Sequence, residues 1–158
     1  MKTAIFPGSF DPITLGHQDI IEKSLNLFDV VIIGIGQNSE KKYMFSAKKR
    51  KQFVEQTFNS IDNIEVKIYE GLTVDFCRKN NVDFIIRGLR NVSDFEFEKN
   101  IALTNRKLTG IETVFFLTSI ENSFISSGIV RELINNNGDY RLLIPCLLYT
   151  SPSPRDRG

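Results

Sequence analysis

The chain has little with which to staple itself or to hold a soft metal. Only two cysteines, Cys77 and Cys146, occur in 158 residues, in opposite halves of the sequence and without C-x-x-C spacing, and His17 is the single histidine. Neither a disulfide framework nor a Cys/His zinc site is expected, and a reducing compartment is the natural setting. Charge of one sign is missing too. Twenty Lys and Arg face 19 Asp and Glu, a formal balance of +1, which argues against a strongly basic nucleic-acid binder and against an acidic solvating tail. No apolar run is long: Val30 to Ile35 is the most extended, far too short to span a bilayer. The opening run stops at Pro7-Gly8, so no signal peptide is expected. The acidic residues show no paired spacing for a two-carboxylate acid/base site or a dedicated metal cage. What remains is the profile of an ordinary soluble domain, 41% apolar and 25% charged. The expectation is a cytoplasmic protein with neither nucleic acid nor membrane as partner.

What is present alternates between two periods. Short runs rich in β-branched residues and Phe recur at Thr3 to Phe6, Val30 to Ile35, Ile64 to Ile68, Phe84 to Ile86 and Val114 to Leu117. Continuous runs of this kind suit strands buried on both faces of a parallel sheet. Between them lie helical stripes. Ile21, Leu25 and Phe28 form one. Phe53, Val54, Thr57 and Phe58 form a second behind a Ser46 cap, and Phe97, Ile101, Thr104 and Leu108 mark a third, longer helix. A fourth runs from about Ser127 to Asn136, carrying Val130, Leu133 and Ile134. Strand–helix alternation predicts right-handed βαβ units in a doubly wound, Rossmann-like α/β fold, with helices on both faces of a parallel sheet. In such sheets ligands bind beyond the carboxyl ends of the strands, so the segments following each strand are where chemistry belongs.

The first of these, Phe6 to His17, holds Gly8 and Gly16, the Ser9 hydroxyl, and His17 in the first turn of the helix it opens. A helix N-terminus attracts phosphate through free N–H groups and its dipole, although a Pro/Gly turn with a surface histidine fits the same residue types. Arg87-Gly88-Leu89-Arg90 ends the fourth strand with two fixed positive charges around a glycine, and arginines in a glycine-containing turn grip phosphate oxygens in forked geometry. Ser123 to Gly128 joins hydroxyls to another helix start, which suits an anion and equally suits plain capping by Ser126 or Ser127. Lys41 and Lys42 follow the second strand and are placed to face the same cleft. The run Lys48-Lys49-Arg50-Lys51 reads as the solvated face of an amphipathic helix.

These segments carry a resemblance. Gly8-Ser9-Phe10-Asp11-Pro12 with Thr14-Leu15-Gly16-His17 resembles the nucleotidyltransferase signature, in the T-x-G-H form of bacterial phosphopantetheine adenylyltransferases. Lys41-Lys42-Tyr43-Met44-Phe45, Ile86 to Arg90, Asp94-Phe95-Glu96-Phe97-Glu98 and Ser123-Phe124-Ile125-Ser126-Ser127 follow in family order, so that the match covers about residues 2 to 145. The resemblance implies transfer of the adenylyl group of ATP to 4′-phosphopantetheine, with magnesium, in a homohexamer. It implies that Ser9 and Phe10 meet the nucleotide, Ser9 also lying near the acceptor phosphate, and that His17 contacts the α-phosphate. Lys41, Thr73 and Arg87 match acceptor-binding positions. Gly88, Leu89, Arg90, Glu98 and the stretch Asn122, Ser123, Phe124, Ile125, Ser126, Ser127 and Gly128 match ATP-binding ones. Two positions depart from the pattern: Gly128 replaces a common hydroxyl residue, and Asn122 stands where an aromatic is frequent. The residues also admit a sibling transferase with another nucleotide or acceptor, or a catalytically silent nucleotide-binding module on the same fold.

Residues 1–145 are thus expected to form a single domain. From Cys146 onward the sequence, with Pro152 and Pro154 and no apolar residue after Tyr149, is expected not to belong to that fold.

Overall fold

The computed structural model describes residues 1–145; the expectation for 146–158 lies outside the described residues. Five strands form one parallel sheet: β1 (Thr3–Gly8), β2 (Val30–Gly36), β3 (Ile64–Tyr69), β4 (Phe84–Leu89) and β5 (Glu112–Leu117). Their order is β3-β2-β1-β4-β5, so the winding reverses between β1 and β4. The α/β doubly wound expectation therefore holds, and that reversal is where such sheets open a crevice. The ladder shows the opening directly. β1 pairs with β2 along its whole length, but with β4 only at Ala4–Phe84 and Ile5–Ile85. Beyond those two pairs the carboxyl halves of β1 and β4 diverge.

Alternation along the strands divides the core into two layers. Ala4 and Phe6 join Ile33, Ile20, Ile21, Phe53, Val54, Val130 and Ile134 on one face, beneath α1 (Leu15–Ser24), α2 (Ala47–Thr57) and α5 (Ser127–Asn135). Ile5, Ile32 and Ile85 join Val74 and Cys77 of α3 (Thr73–Lys79) on the other, where α4 (Val92–Thr109) also lies, with the Phe95 ring against Phe115 of β5. Caps explain where the helices begin. Ser46, Asn91 and Ser126 accept hydrogen bonds from Lys49, Asp94 and Ile129 respectively. α4 closes at Gly110, whose φ of 79° is a left-handed conformation that glycine adopts without a Cβ penalty.

Several local expectations change. α3 carries no periodic signal in the sequence, because its seven residues are too few to show a stripe. β3 and β5 are edge strands and only half-buried, so burial on both faces holds for the three central strands alone. The stripe on α4 does not face the core: Phe97 is 68% exposed, Ile101 43% and Leu108 62%, and Glu98 is the helix's one buried residue. Arg87-Gly88-Leu89 is strand, not turn. Arg50 is not on a solvated face, being 1% exposed.

Candidate active site

The segment between β1 and α1 is held from several directions. The Asp11 carboxylate accepts the N–H groups of Met44 and Phe45 at 2.8 and 2.9 Å. The Arg131 guanidinium donates to the Asp11 carbonyl, and the Ser127 hydroxyl to the Pro12 carbonyl, both at 2.8 Å. Phe10 takes a φ of 49°, costly for a residue with a Cβ. Its ring is 2% exposed and packs against Phe6 and, at 4.8 Å between centroids, against the His17 imidazole. Packing on both sides is what sustains the unusual backbone.

His17 is fixed by a capping box. Thr14 caps α1 by accepting the His17 N–H, and the imidazole reaches back so that Nδ1 accepts the Thr14 N–H at 3.0 Å. An Nδ1 occupied as acceptor leaves the ring proton on Nε2. Burial lowers the imidazole's pKa from 6.5 to about 4, helped by the positive charges of Arg87 and Arg90. At neutral pH the ring is an uncharged N–H donor lining a cavity.

That cavity, of about 340 Å³, lies between the starts of α1 and α5 and the carboxyl end of β4. It gathers His17, Gly88, Arg90, Glu98, Ile125, Ser126 and Ser127. A second, of about 690 Å³, gathers Ser9, Lys41, Thr73 and Arg87 with Tyr43 and the residues after β2. A third, of about 180 Å³, runs under α4 past Ile85, Ile101, Ala102 and Asn105, and the buried Thr113 Oγ1 beside it has no hydrogen-bond partner among the described residues. All three share Pro7 and Arg87. Arg87 stands where β1 and β4 part: its Nη1 donates to the Pro7 carbonyl at 3.0 Å and its Nε to Glu98 at 2.6 Å. With five donors in a planar fork, it keeps N–H groups for a ligand in either main cavity.

Neighbouring groups set the remaining positions. Arg90 is paired with Asp94, which accepts both its main-chain N–H and its Nε. Lys41 Nζ lies 3.3 Å from the Ser9 hydroxyl, and the Thr73 and Tyr69 hydroxyls meet at 2.8 Å. Asp19 and Lys23 of α1 hold Ser119 and the Leu117 carbonyl. Burial opposes the Asp19 charge, yet the Ser119 N–H and hydroxyl together with Lys23 leave its pKa below the ordinary value. Gly88 permits close approach of α1, since a Cβ there would lie 2.9 Å from Ile20 Cγ1.

Not every candidate reaches these cavities. The Phe10 and Leu89 side chains point into the interior, so a nucleotide would meet them through their backbone. Asn122 ends a short 3-10 helix (Ile120–Asn122) and Ser123 and Phe124 form the turn after it, all outside the three cavities, with Phe124 exposed. Gly128 sits in the first turn of α5 beside Arg131. Lys42 is exposed and lines none of the three. Sequence reading missed the supporting roles of Asp11, Thr14, Arg50, Asp94 and Arg131. Two had a visible signal: Thr14 stands three residues before His17, and Arg90 and Asp94 are four apart on a helix approach. Among the described residues no three of His, Cys, Asp or Glu cluster as a metal cage. No helix among them is long and apolar enough to cross a membrane.

A parallel sheet whose winding reverses at a crevice lined by two arginines, with two helix starts and an uncharged imidazole donor on its rim, defines a nucleotidyltransferase type of site. Residues 5–133 match the cytidylyltransferase-like family. The fold is that of a bifunctional NMN adenylyltransferase/ADP ribose pyrophosphatase from Francisella tularensis (TM-score 0.72, 17% identity, covering 90% of this chain and 44% of that one). It is likewise that of the Plasmodium falciparum nicotinic acid mononucleotide adenylyltransferase (TM-score 0.67, 17% identity, 94% and 93% covered). Sequence relatives narrow the class. The phosphopantetheine adenylyltransferase of Flavobacterium psychrophilum is 61% identical over 92% of this chain and 96% of its own. Those of Christiangramia forsetii and Bacteroides fragilis are 51% and 45% identical over 92% of this chain, covering 96% and 97% of theirs. The chain belongs to the phosphopantetheine adenylyltransferase family.

Proposed function

We propose that this chain transfers the adenylyl group of ATP to 4′-phosphopantetheine, forming dephospho-coenzyme A and pyrophosphate. The observation that carries the reading is the meeting of two anion-directed cavities at Pro7, Gly8 and Arg87, with His17 on the rim of one. ATP occupies the cavity of His17, Arg90, Ser126 and Ser127. The acceptor phosphate lies by Lys41, Ser9 and Thr73, and its amide-bearing arm follows the slot under α4, where Asn105 and the unpaired Thr113 hydroxyl supply polar partners.

An acceptor phosphate oxygen attacks the α-phosphorus, the new P–O bond forms opposite the bridge to the β-phosphate, and that bridge breaks to release pyrophosphate. The nucleophile is already an anion, so the protein need only align two polyanions and neutralise charge in flight. The Nε2–H of His17 donates to a non-bridging α-phosphate oxygen. The proton on Nε2 and the occupied Nδ1 make the ring a donor and not a base. Arg87, between the cavities, holds the attacking and receiving phosphates in register. Magnesium, carried on the nucleotide's own phosphates, would supply charge neutralisation there, while Arg87, Arg90 and His17 remain the protein's own contacts to the phosphates. The exposed stripe of α4 supports a homo-oligomer, hexameric by resemblance, and the compartment is the cytoplasm.

Pyrophosphate release with ATP and 4′-phosphopantetheine tests the reading. CTP in place of ATP should give little turnover. No turnover in any pairing would return the chain to a silent module, and preference for another nucleotide would make it a sibling transferase.

A further inference from the structure

Arg50 lines none of the cavities, yet it is a fully buried cation whose hydrogen bonds all go to segments that do. Its Nε donates to the Phe45 carbonyl at 3.1 Å, and its Nη1 donates to the carbonyls of Ser9 and Gly36 at 2.8 and 3.1 Å. Its guanidinium lies over the Tyr43 ring, 3.9 Å from the centroid. The Lys41 ammonium lies 5.5 Å from the same centroid, within cation–π range. Asp11 balances the Arg50 charge and fastens the same segments independently, by accepting the N–H groups of Met44 and Phe45. Three stretches of backbone that are remote in sequence thus meet on the buried Arg50 guanidinium: the start of the loop after β1, the end of β2, and residues 43–45.

Those stretches carry Ser9, Gly36, Lys41 and Tyr43, one wall of the larger cavity. The nucleotide cavity takes none of these residues. We propose that Arg50, with Asp11 as its counter-charge, is a positioning residue for the acceptor half of the site, setting the distance between the Ser9 hydroxyl and the Lys41 ammonium that receive the acceptor phosphate. A buried cation is an expensive way to stabilise a core. A planar fork is nevertheless suited to fixing carbonyls on separate segments at once, which a lysine ammonium, with its donors on one nitrogen and no flat face for Tyr43, does not reproduce.

The inference rests on the adenylyl-transfer reading, so wild-type turnover is measured first; an inactive wild type overturns that reading and leaves the clamp to be judged by acceptor binding alone. The variants are Arg50→Lys and Asp11→Asn, with Val54→Ala, a buried neighbour on α2 away from both cavities, as a destabilised control. All are assayed well below their melting midpoints. Arg50→Lys should raise the KM for phosphopantetheine about tenfold, on the order of one lost hydrogen bond from a charged donor, with the KM for ATP within twofold. Asp11→Asn should shift it in the same direction, and Val54→Ala should shift neither KM. Equal changes in both KM values, or none in a folded Arg50→Lys, overturn the proposal. Should Arg50→Lys fail to fold, Asp11→Asn decides by the same split, and failure of both to fold assigns the two residues to stability alone, which also overturns it.

Discussion

The state of His17 admits a quantitative test by pH. Burial and two neighbouring arginines lower its pKa to about 4, so at pH 6 only about 1% of the native ring is charged, against about three-quarters for an unperturbed histidine. If the neutral donor is the working form, the His17 contribution to kcat is flat between pH 8 and 6. The acceptor phosphate itself titrates near pH 6, so the quantity to follow is the ratio of wild-type kcat to that of His17→Gln, in which substrate ionisation cancels. That ratio should stay constant over the window; an ordinary imidazole would lose about three-quarters of it. Stability carries the complementary sign. Below pH 6.5 the unfolded chain takes up a proton that the native ring refuses. Native stability is therefore unaffected above about pH 6.5, declines as pH falls, and bears the full penalty below about pH 4. Discounted for the ring's partial exposure, the loss is about 1–3 kcal/mol. Denaturant melts at pH 7 and pH 4.5 should show a wild-type decline exceeding that of His17→Gln by about this amount. Identical declines in the two proteins, or a ratio that follows a pKa near 6.5, would refute the neutral-donor assignment.

His17→Ala should lower kcat by about 10²–10³ with ATP affinity nearly intact, as for loss of one donor to a developing charge; pre-steady-state ATP binding and turnover check both halves. Lys41→Ala should raise the KM for phosphopantetheine more than that for ATP, and Arg90→Ala the reverse, because the two side chains line different cavities; steady-state kinetics in both substrates would show equal effects were the division wrong. Gly88→Ala places a Cβ 2.9 Å from Ile20 and pushes on the helix that carries His17. It should cost about 1–3 kcal/mol by chemical denaturation and lower kcat as well. Ile101→Glu, on the exposed stripe of α4, should reduce the particle mass seen by analytical ultracentrifugation, and an unchanged mass removes α4 from the assembly surface.

Much of the fold is legible in the sequence. The central β1, β2 and β4 follow from β-branched runs with no polar interruption, because a strand covered on both faces has no solvent side to advertise. Ser46 and Ser126 announce helix starts through local hydroxyl–backbone chemistry, and His17, Lys41, Arg87 and Arg90 are recognisable because they stand just where buried strands give out. What composition and spacing leave open is everything that depends on which strands become neighbours. The reversal between β1 and β4, the early end of their ladder and the placing of Arg87 in that gap arise from strand order, to which no single segment contributes a signal. The same holds for Arg50: within Lys48-Lys49-Arg50-Lys51 nothing distinguishes it from three solvated lysines and their kind. Only the packing of α2 against the ends of β1 and β2 turns that one cation inward, to carbonyls contributed by residues far along the chain. Phe97, Ile101 and Leu108 show the converse, an apolar stripe that periodicity assigns to a core and the fold leaves at the surface. A helical period reports that one face is apolar; which surface that face meets is decided by tertiary contacts, because burial is a property of neighbours and not of the sequence that repeats.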